Sequence, residues 1–470
     1  MKLSFNIYRV IRFWAIALTS AFVACTVIHL EQVPKALSAQ VAGNERPATV
    51  TYTKNIAPIL FQNCATCHRP GQIAPFSLLT YKDAAEHAKQ LASATTSRYM
   101  PPWKPEPGYG SFQNERRLTE QDIALIQQWA ETGAVEGNPS DLPLTPKFAE
   151  GWQLGKPDLI VKMPQAYTLQ AEGNDQYQCF VLPLNFPKNQ YVSAVEVKPG
   201  NPKIVHHSIL YQAPSDEARK LDGKSSDVGY PCFGGPGQSL RGQVGGVASW
   251  VPGSVPHYLL DGVAAVIKQG DDLILQNHYH RDGNIESDQS VVGIYFAKSA
   301  PQKVALSIPL IQTNLDIPPG EKRYQATASF TAPIDLQVIE IGPHMHLLGH
   351  EMKVTATLPD GTVKPMIWIK DWDFHWQGRY QYKQPVNLPK GTRLEMVAYY
   401  NNSVNNPNNP NHPPRRVTWG EQTTDEMALC GITVAAKIDN QDELNQLRQL
   451  RRQIVLSARE YLRLHRAQSH

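Results

Sequence analysis

Net charge is almost absent from this sequence. Its 45 Lys and Arg against 42 Asp and Glu leave +3, too little for the strongly basic face that nucleic acid demands. Cysteine is scarce as well. Six in 470 residues do not make a disulfide scaffold, so each is read individually. There is no internal repeat. The 37 Pro and 31 Gly follow no period, which excludes collagen and suits loop-rich β architecture. With 41% hydrophobic and 19% charged residues, a packed core is within reach and global disorder is excluded. At roughly 100–200 residues per domain, the length suggests about three domains.

The N-terminus has the order of an export signal. Lys2, Arg9 and Arg12 precede an uncharged run from Phe13 to Leu30, and small residues follow at Ala36, Ser38 and Ala39. A cleavable signal peptide ending near Ala39 is the leading expectation, with an uncleaved membrane anchor over 1–39 as the alternative. A lipoprotein site at Cys25 is weaker, because the residues after it stay apolar. The buried-helix alternative is weaker still. Export places the rest in the periplasm or on the outer face of the inner membrane, where disulfides survive.

Residues 40–50 read as a linker, and 45–140 as a small helical domain. Thr119–Asp122 resembles a capping box ahead of Ile123, Leu125, Ile126 and Trp129 at helical spacing, with Gly133 and Gly137 ending that helix. A Pro-rich linker follows over 138–155. From about 156 the texture becomes short Val-, Ile-, Tyr- and Leu-rich runs between PG, DG, NP and PP turns. Examples are Tyr191–Val197, Leu273–His278, Val304–Ile308, Leu336–Ile341 and Leu394–Tyr400. That is an antiparallel sandwich pattern, long enough for two sandwiches over 156–300 and 301–438. Asn401–Pro414 reads as a long loop. Residues 439–470 read as a basic helix carrying Arg448, Arg451, Arg452, Arg459, Arg463 and Arg466. A solvated amphipathic face explains it more simply than contact with anionic lipid.

Cys64-Ala65-Thr66-Cys67-His68 is CxxCH. In an exported chain this spacing reads as attachment of haem c. Both thiols bond the porphyrin vinyls, and the adjacent His68 ligates iron. A thioredoxin-like CxxC lacks its βαβ context here. Met100, in the irregular segment Arg98–Trp103, is the expected sixth ligand, with His87 as the alternative. A thioether ligand raises the potential, which suits an electron carrier.

Three histidine strings stand in the β region: His206-His207, Gln276-Asn277-His278-Tyr279-His280, and His344-Met345-His346 followed by Leu348, Gly349 and His350. Residues i and i+2 of a strand face the same way, so HxH can bind one metal, whereas adjacent histidines need a twist or a bulge. Imidazole suits Zn, Cu, Fe or Ni, and a thioether favours Cu(I).

The order HH, LQxHY, Ile317–Glu321 (IPPGE), HxHxLG and Asp425-Glu426-Met427 resembles the copper type II, ascorbate-dependent monooxygenases, the peptidylglycine α-hydroxylating and dopamine β-monooxygenase family. The likeness runs from about 156 to 436. Residues 45–140 separately resemble bacterial cytochrome c modules. The resemblance implies a multidomain fold: a small all-α cytochrome c-like domain, then two all-β jelly-roll sandwiches facing a cleft with one copper ion on each. Its electron-transfer copper falls on His206, His207 and His278, with His280 as the alternative to His278. Its oxygen-activating copper falls on His344, His346 and Met427, and Gln276 matches a residue held to assist electron flow. The resemblance also implies a Cys179–Cys232 disulfide. Cys430 is left as a buried free thiol. His350 reads as a surface or supporting residue, and His257, His375 and His412 have no motif support.

Departures from the family matter for substrate. Peptide-amidating members carry Arg two residues before HxH, where this chain has Gly342. They carry Asn and Tyr after the Met ligand, where this chain has Leu429 and Gly431. Peptide amidation is therefore not expected, and a smaller or more apolar substrate is. Trp372, Phe374, Trp376 and Tyr380 are candidate pocket residues, although aromatic core is the plainer reading. The expected activity is a copper-dependent monooxygenase that uses O2, with electrons from ascorbate or another donor passing through the fused haem. The alternative is a haem–copper electron-transfer or copper-binding envelope protein without oxygenase activity.

Overall fold

A computed structural model describes residues 49–466, apart from 73, 150, 223–226, 238–239 and 241–244. The export segment expected at 1–39 lies outside the described residues. No helix among those described is long and apolar enough to cross a membrane.

The protein is mostly β sandwich. One eight-stranded sheet runs the length of both halves. Its order is Leu159–Lys162, Val291–Phe296, Gln190–Lys198, Val263–Ile267, Lys303–Ile311, Leu429–Lys437, Leu336–His344 and Tyr380–Leu388. The halves meet where Val263 and Ala264 pair in parallel with Lys303 and Val304. On the first half lies a five-stranded sheet that includes Gln176–Leu182, Asp271–Tyr279 and Val205–Pro214. On the second lies a four-stranded sheet of Tyr324–Thr331, Arg393–Tyr400, Gly349–Thr357 and Val363–Ile369.

Side-chain alternation explains the layers. Along Arg393–Tyr400, Leu394, Met396, Ala398 and Tyr400 enter the second core while their neighbours stay partly in water. Asp271–Tyr279 is buried on both faces. Leu273, Leu275 and Tyr279 fill the first core, whereas Ile274 lies on the opposite face beside Cys179 and Cys232.

Helices precede the sandwiches: Ala57–Asn63, Tyr81–Glu86, Ala88–Thr96 and Glu120–Glu131 around Tyr52, Leu60, Ile126 and Trp129. The capping box at Thr119 forms. Its hydroxyl accepts from Asp122 N–H at 3.1 Å, and the Asp122 carboxylate accepts from Thr119 N–H at 2.9 Å. The segment between the last two helices joins the second sandwich: Glu106 N–H donates to Trp368 O at 2.7 Å, and Gln113 N–H to Gln381 O at 2.8 Å. Phe112 enters that sandwich's core. The C-terminal helix Gln441–Arg466 lays Leu444 and Leu447 on the same core.

Candidate metal centre

The strand Val205–Pro214 solves the problem of adjacent histidines with a bulge. Val205 faces Tyr279 across the ladder and His207 faces His278, so His206 is the extra residue. Both neighbours thereby turn towards His278. The Nδ1 atoms of His206 and His207 lie 3.3 Å apart, and those of His207 and His278 lie 3.4 Å apart. Ligands around a tetrahedral ion with metal–nitrogen bonds of about 2.0–2.1 Å sit roughly 3.3–3.4 Å from one another. His206, His207 and His278 therefore form a group able to hold a metal ion.

Asp175 orients this set. Its Oδ2 accepts from His278 Nε2 at 2.9 Å, which leaves the lone pair on Nδ1, and its Oδ1 engages His280 Nδ1 at 3.0 Å. Burial pushes the Asp175 carboxyl up, but His278 and His280 outweigh it and hold the group below its ordinary range. His280 is exposed and outside the set. Tyr177 stacks on His278, centroids 4.2 Å apart.

The second set is built on a strand end. His344 closes Leu336–His344 opposite Leu429, and His346 lies just beyond. Buried Glu426 fastens this turn, its carboxylate accepting from His346 N–H at 2.9 Å, Leu348 N–H at 2.6 Å and Met427 N–H at 3.2 Å. Burial pushes that carboxyl up to about 8, against these N–H groups. His344 Nδ1 donates to Gln377 Oε1 at 2.5 Å, and His346 Nδ1 to Asp425 O at 3.1 Å. Both rings therefore keep Nε2 for a ligand. Met427 is half-buried, two residues before Leu429, and its carbonyl accepts from Tyr400 OH at 2.7 Å.

Burial lowers the pKa of all four innermost histidines. His206 falls to about 3 through burial and then its neighbour His278. His346 falls to about 3 through burial and then His344. His207 and His344 are lowered too, burial again leading. Neutral imidazole is the form that binds metal.

Phe374 stands between the sets. Its ring stacks on His206 at 5.0 Å and 18°, and meets His346 edge-on at 5.8 Å. Aromatic core does describe Trp372 and Tyr380, but Phe374 lies on both histidine sets. Trp376 meets Tyr99, next to Met100, at 5.5 Å. Neither Asp175 nor Gln377 was marked by the sequence. Gln377 directly follows the DWDFHW run at 371–376, a local signal that this loop is unusual.

Gln276 lies against the disulfide. Its Nε2 donates to Cys232 O at 2.9 Å, and Cys179 and Cys232 are bonded. Cys430 is buried and free. His350 and His412 are exposed. His375 turns to Asp373 at 3.0 Å, and His257 to Glu340 at 2.8 Å.

In the helical region, Cys64 to His68 make a helical turn, with Cys67 N–H and His68 N–H both donating to Cys64 O. His68 Nδ1 donates to Phe76 O at 3.2 Å, leaving Nε2 for a ligand. Burial pushes the Cys64 thiol up to about 12 and raises Cys67 as well, whereas a redox-active CxxC lowers its thiol. His87 stacks on Phe76 at 3.8 Å, and Met100 is half-buried with its N–H on Ala94 O. A cavity of about 670 Å³ opens beside Cys67, walled by Thr66, Trp103, Trp250, Trp376 and Gln377, within the size range of cofactor sites.

No family model matches the chain, and no curated protein matches it. Among solved structures, the infectious bursal disease virus VP2 subviral particle is 9% identical over 64% of this chain and 76% of that chain, with a TM-score of 0.18. The major capsid protein P2 from bacteriophage PM2 is 8% identical over 59% and 97%, with a TM-score of 0.25. PNGF-II is 10% identical over 68% and 70%, with a TM-score of 0.24. Likenesses at these scores carry no argument about this chain.

Proposed function

We propose that the chain is an exported, copper-dependent monooxygenase that hydroxylates a C–H bond of a small organic substrate, fed by a c-type haem on the same chain. The observation that carries this reading is the histidine geometry. His207 Nδ1 lies 3.3 Å from that of His206 and 3.4 Å from that of His278, and in the second set both His344 and His346 have their Nδ1 atoms engaged. When bound, copper at the two sets and haem c at Cys64, Cys67, His68 and Met100 supply the one-electron chemistry that places one atom of O2 in the substrate and releases the other as water.

The residues prepare that chemistry. Asp175, Gln377 and the Asp425 carbonyl fix which nitrogen each histidine presents. Glu426 holds the His346 turn rigid. Tyr177 and Phe374 stack on the rings of His278 and His206. Met427 gives the second set the soft donor that favours Cu(I), the state that meets O2, while three imidazoles suit a copper that cycles.

A small substrate is supported by Arg379. A Cβ at Gly342 would lie 3.4 Å from its Cγ, and its guanidinium is tied to Glu340. That cation is not free to clamp a peptide carboxylate. The reductant is ascorbate or another donor of the envelope.

Single turnover tests the proposal. Haem and copper are reduced anaerobically, O2 and candidate substrates are added, and haem reoxidation and product are followed. The proposal predicts product only with copper present, and slow reoxidation in His344→Ala. Equal rates and product without copper would overturn it. Reversible redox chemistry without O2-dependent product would identify an electron-transfer module instead.

A further inference from the structure

Two separate chains of contacts join the histidine sets. The first runs through the loop 371–379. His206 stacks on Phe374. The Phe374 carbonyl accepts from Gln377 Nε2 at 2.9 Å, and Gln377 Oε1 accepts from His344 Nδ1. The loop is held at both ends. Trp372 Nε1 donates to His346 O at 3.2 Å, and Arg379 pairs with Glu340.

The second chain runs on the other side. Asp175 binds His278 and also accepts from Thr423 Oγ1 at 3.1 Å. Tyr177, stacked on His278, donates its hydroxyl to Glu421 O at 2.6 Å. Thr423 and Glu421 belong to the loop that leads to Asp425, whose carbonyl fixes His346, and to Met427. Each set is thus braced by residues that also brace the other. Phe374 touches a histidine of both.

We infer that the two sets are separate sites with linked metal affinities, in which Phe374, Asp175 and Thr423 are positioning residues that transmit occupancy of one set to the affinity of the other. This deepens the copper reading above and rests on it. An ion in the first set orders His206 and His278, and with them Phe374 and Thr423. The second set then loses less freedom when its own ion arrives. Ion–ion repulsion opposes this, but it is common to the native chain and to uncharged substitutions, so comparing them isolates the protein's share.

The test is Cu(I) titration of the copper-free chain against a chromogenic chelator. The affinity of the second set is measured with the first intact and with His207→Ala, and the ratio is the coupling factor. Phe374→Leu keeps apolar bulk without the stacked ring, and should lower that factor by about fivefold or more. Phe374→Tyr should restore it to near the native value. Thr423→Val should lower it independently through the second chain of contacts. A factor unchanged in both Phe374→Leu and Thr423→Val overturns the inference. Failure of the native chain to bind copper overturns the functional proposal as well, whereas two independent copper sites with product formation overturn the coupling alone.

Discussion

The amide oxygen of Gln377 lies 2.5 Å from Nδ1 of His344. The contact decides which nitrogen the ring presents, because the amide Nε2 is already committed to Phe374 O and only the oxygen is left to accept. Gln377→Leu should leave His344 free to rotate and to change tautomer. Loss of such a supporting partner typically costs about 10–100-fold in metal affinity. The larger loss should fall on the His344/His346/Met427 set, read as weaker copper uptake in chelator competition. Gln377→Glu should retain the acceptor and most of the affinity.

Asp175 gives the matching case for the first set. Asp175→Asn keeps the shape but removes the charge, and its amide can present N–H to His278 Nε2. That would force the proton onto Nδ1, the atom that faces His207. Copper affinity of the three-histidine set should fall by about 10–100-fold, with an altered copper(II) resonance spectrum. His280→Ala should leave both almost unchanged, since the His280 ring is exposed and contacts the other carboxylate oxygen.

The sequence marked the candidate histidines, and what it could not mark was the residues that hold them in place. Adjacent His206 and His207 demanded a twist or a bulge, and the ladder slips between Val205 and His207. The runs at Leu273–His278 and Leu394–Tyr400 lie on strands because alternation has a period of two, which a one-dimensional pattern preserves. Asp175 and Gln377 are single polar residues in loops. Their partners are 103 and 33 positions away, and no period encodes a long-range loop contact. Phe374 illustrates the same limit, since an aromatic cluster looks alike whether it fills a core or covers histidine rings. Asn401–Pro414 reads as a plain loop, yet Asn402 is buried and its Nδ2 donates to Ile317, Pro318 and Arg415 carbonyls. Side-chain amides replace the ladder there, and composition alone does not announce it.

The disulfide should carry much of the first half's stability. Cys179 and Cys232 are 53 residues apart. Closing a loop of that length restricts the unfolded chain by about 4 kcal/mol in the chain-entropy model. Replacing both with Ser should lower the unfolding free energy by about that amount. It should also loosen Gln276, whose Nε2 donates to Cys232 O. Denaturant unfolding under oxidising conditions measures the change. An unchanged midpoint would place the first half's stability in its core alone.

Glu340 makes stability depend on acid. It is buried between Arg379 and His257, with His257 from the first half and Arg379 from the second. Burial raises its carboxyl, but Arg379 and then His257 prevail, and the group is held at about 2. A carboxylate whose folded pKa is depressed stabilises the fold above its unfolded value, near pH 4.3, and that contribution disappears as pH falls towards about 2. The outer face of Arg379 is in water, so the contribution is on the order of 2 kcal/mol. Glu340→Gln should lower stability by about that amount at neutral pH, and the gap between variant and native should close steadily below about pH 4.3. Urea midpoints across that range measure it. A gap that stays constant down to about pH 3 would assign the loss to packing, not to the charge.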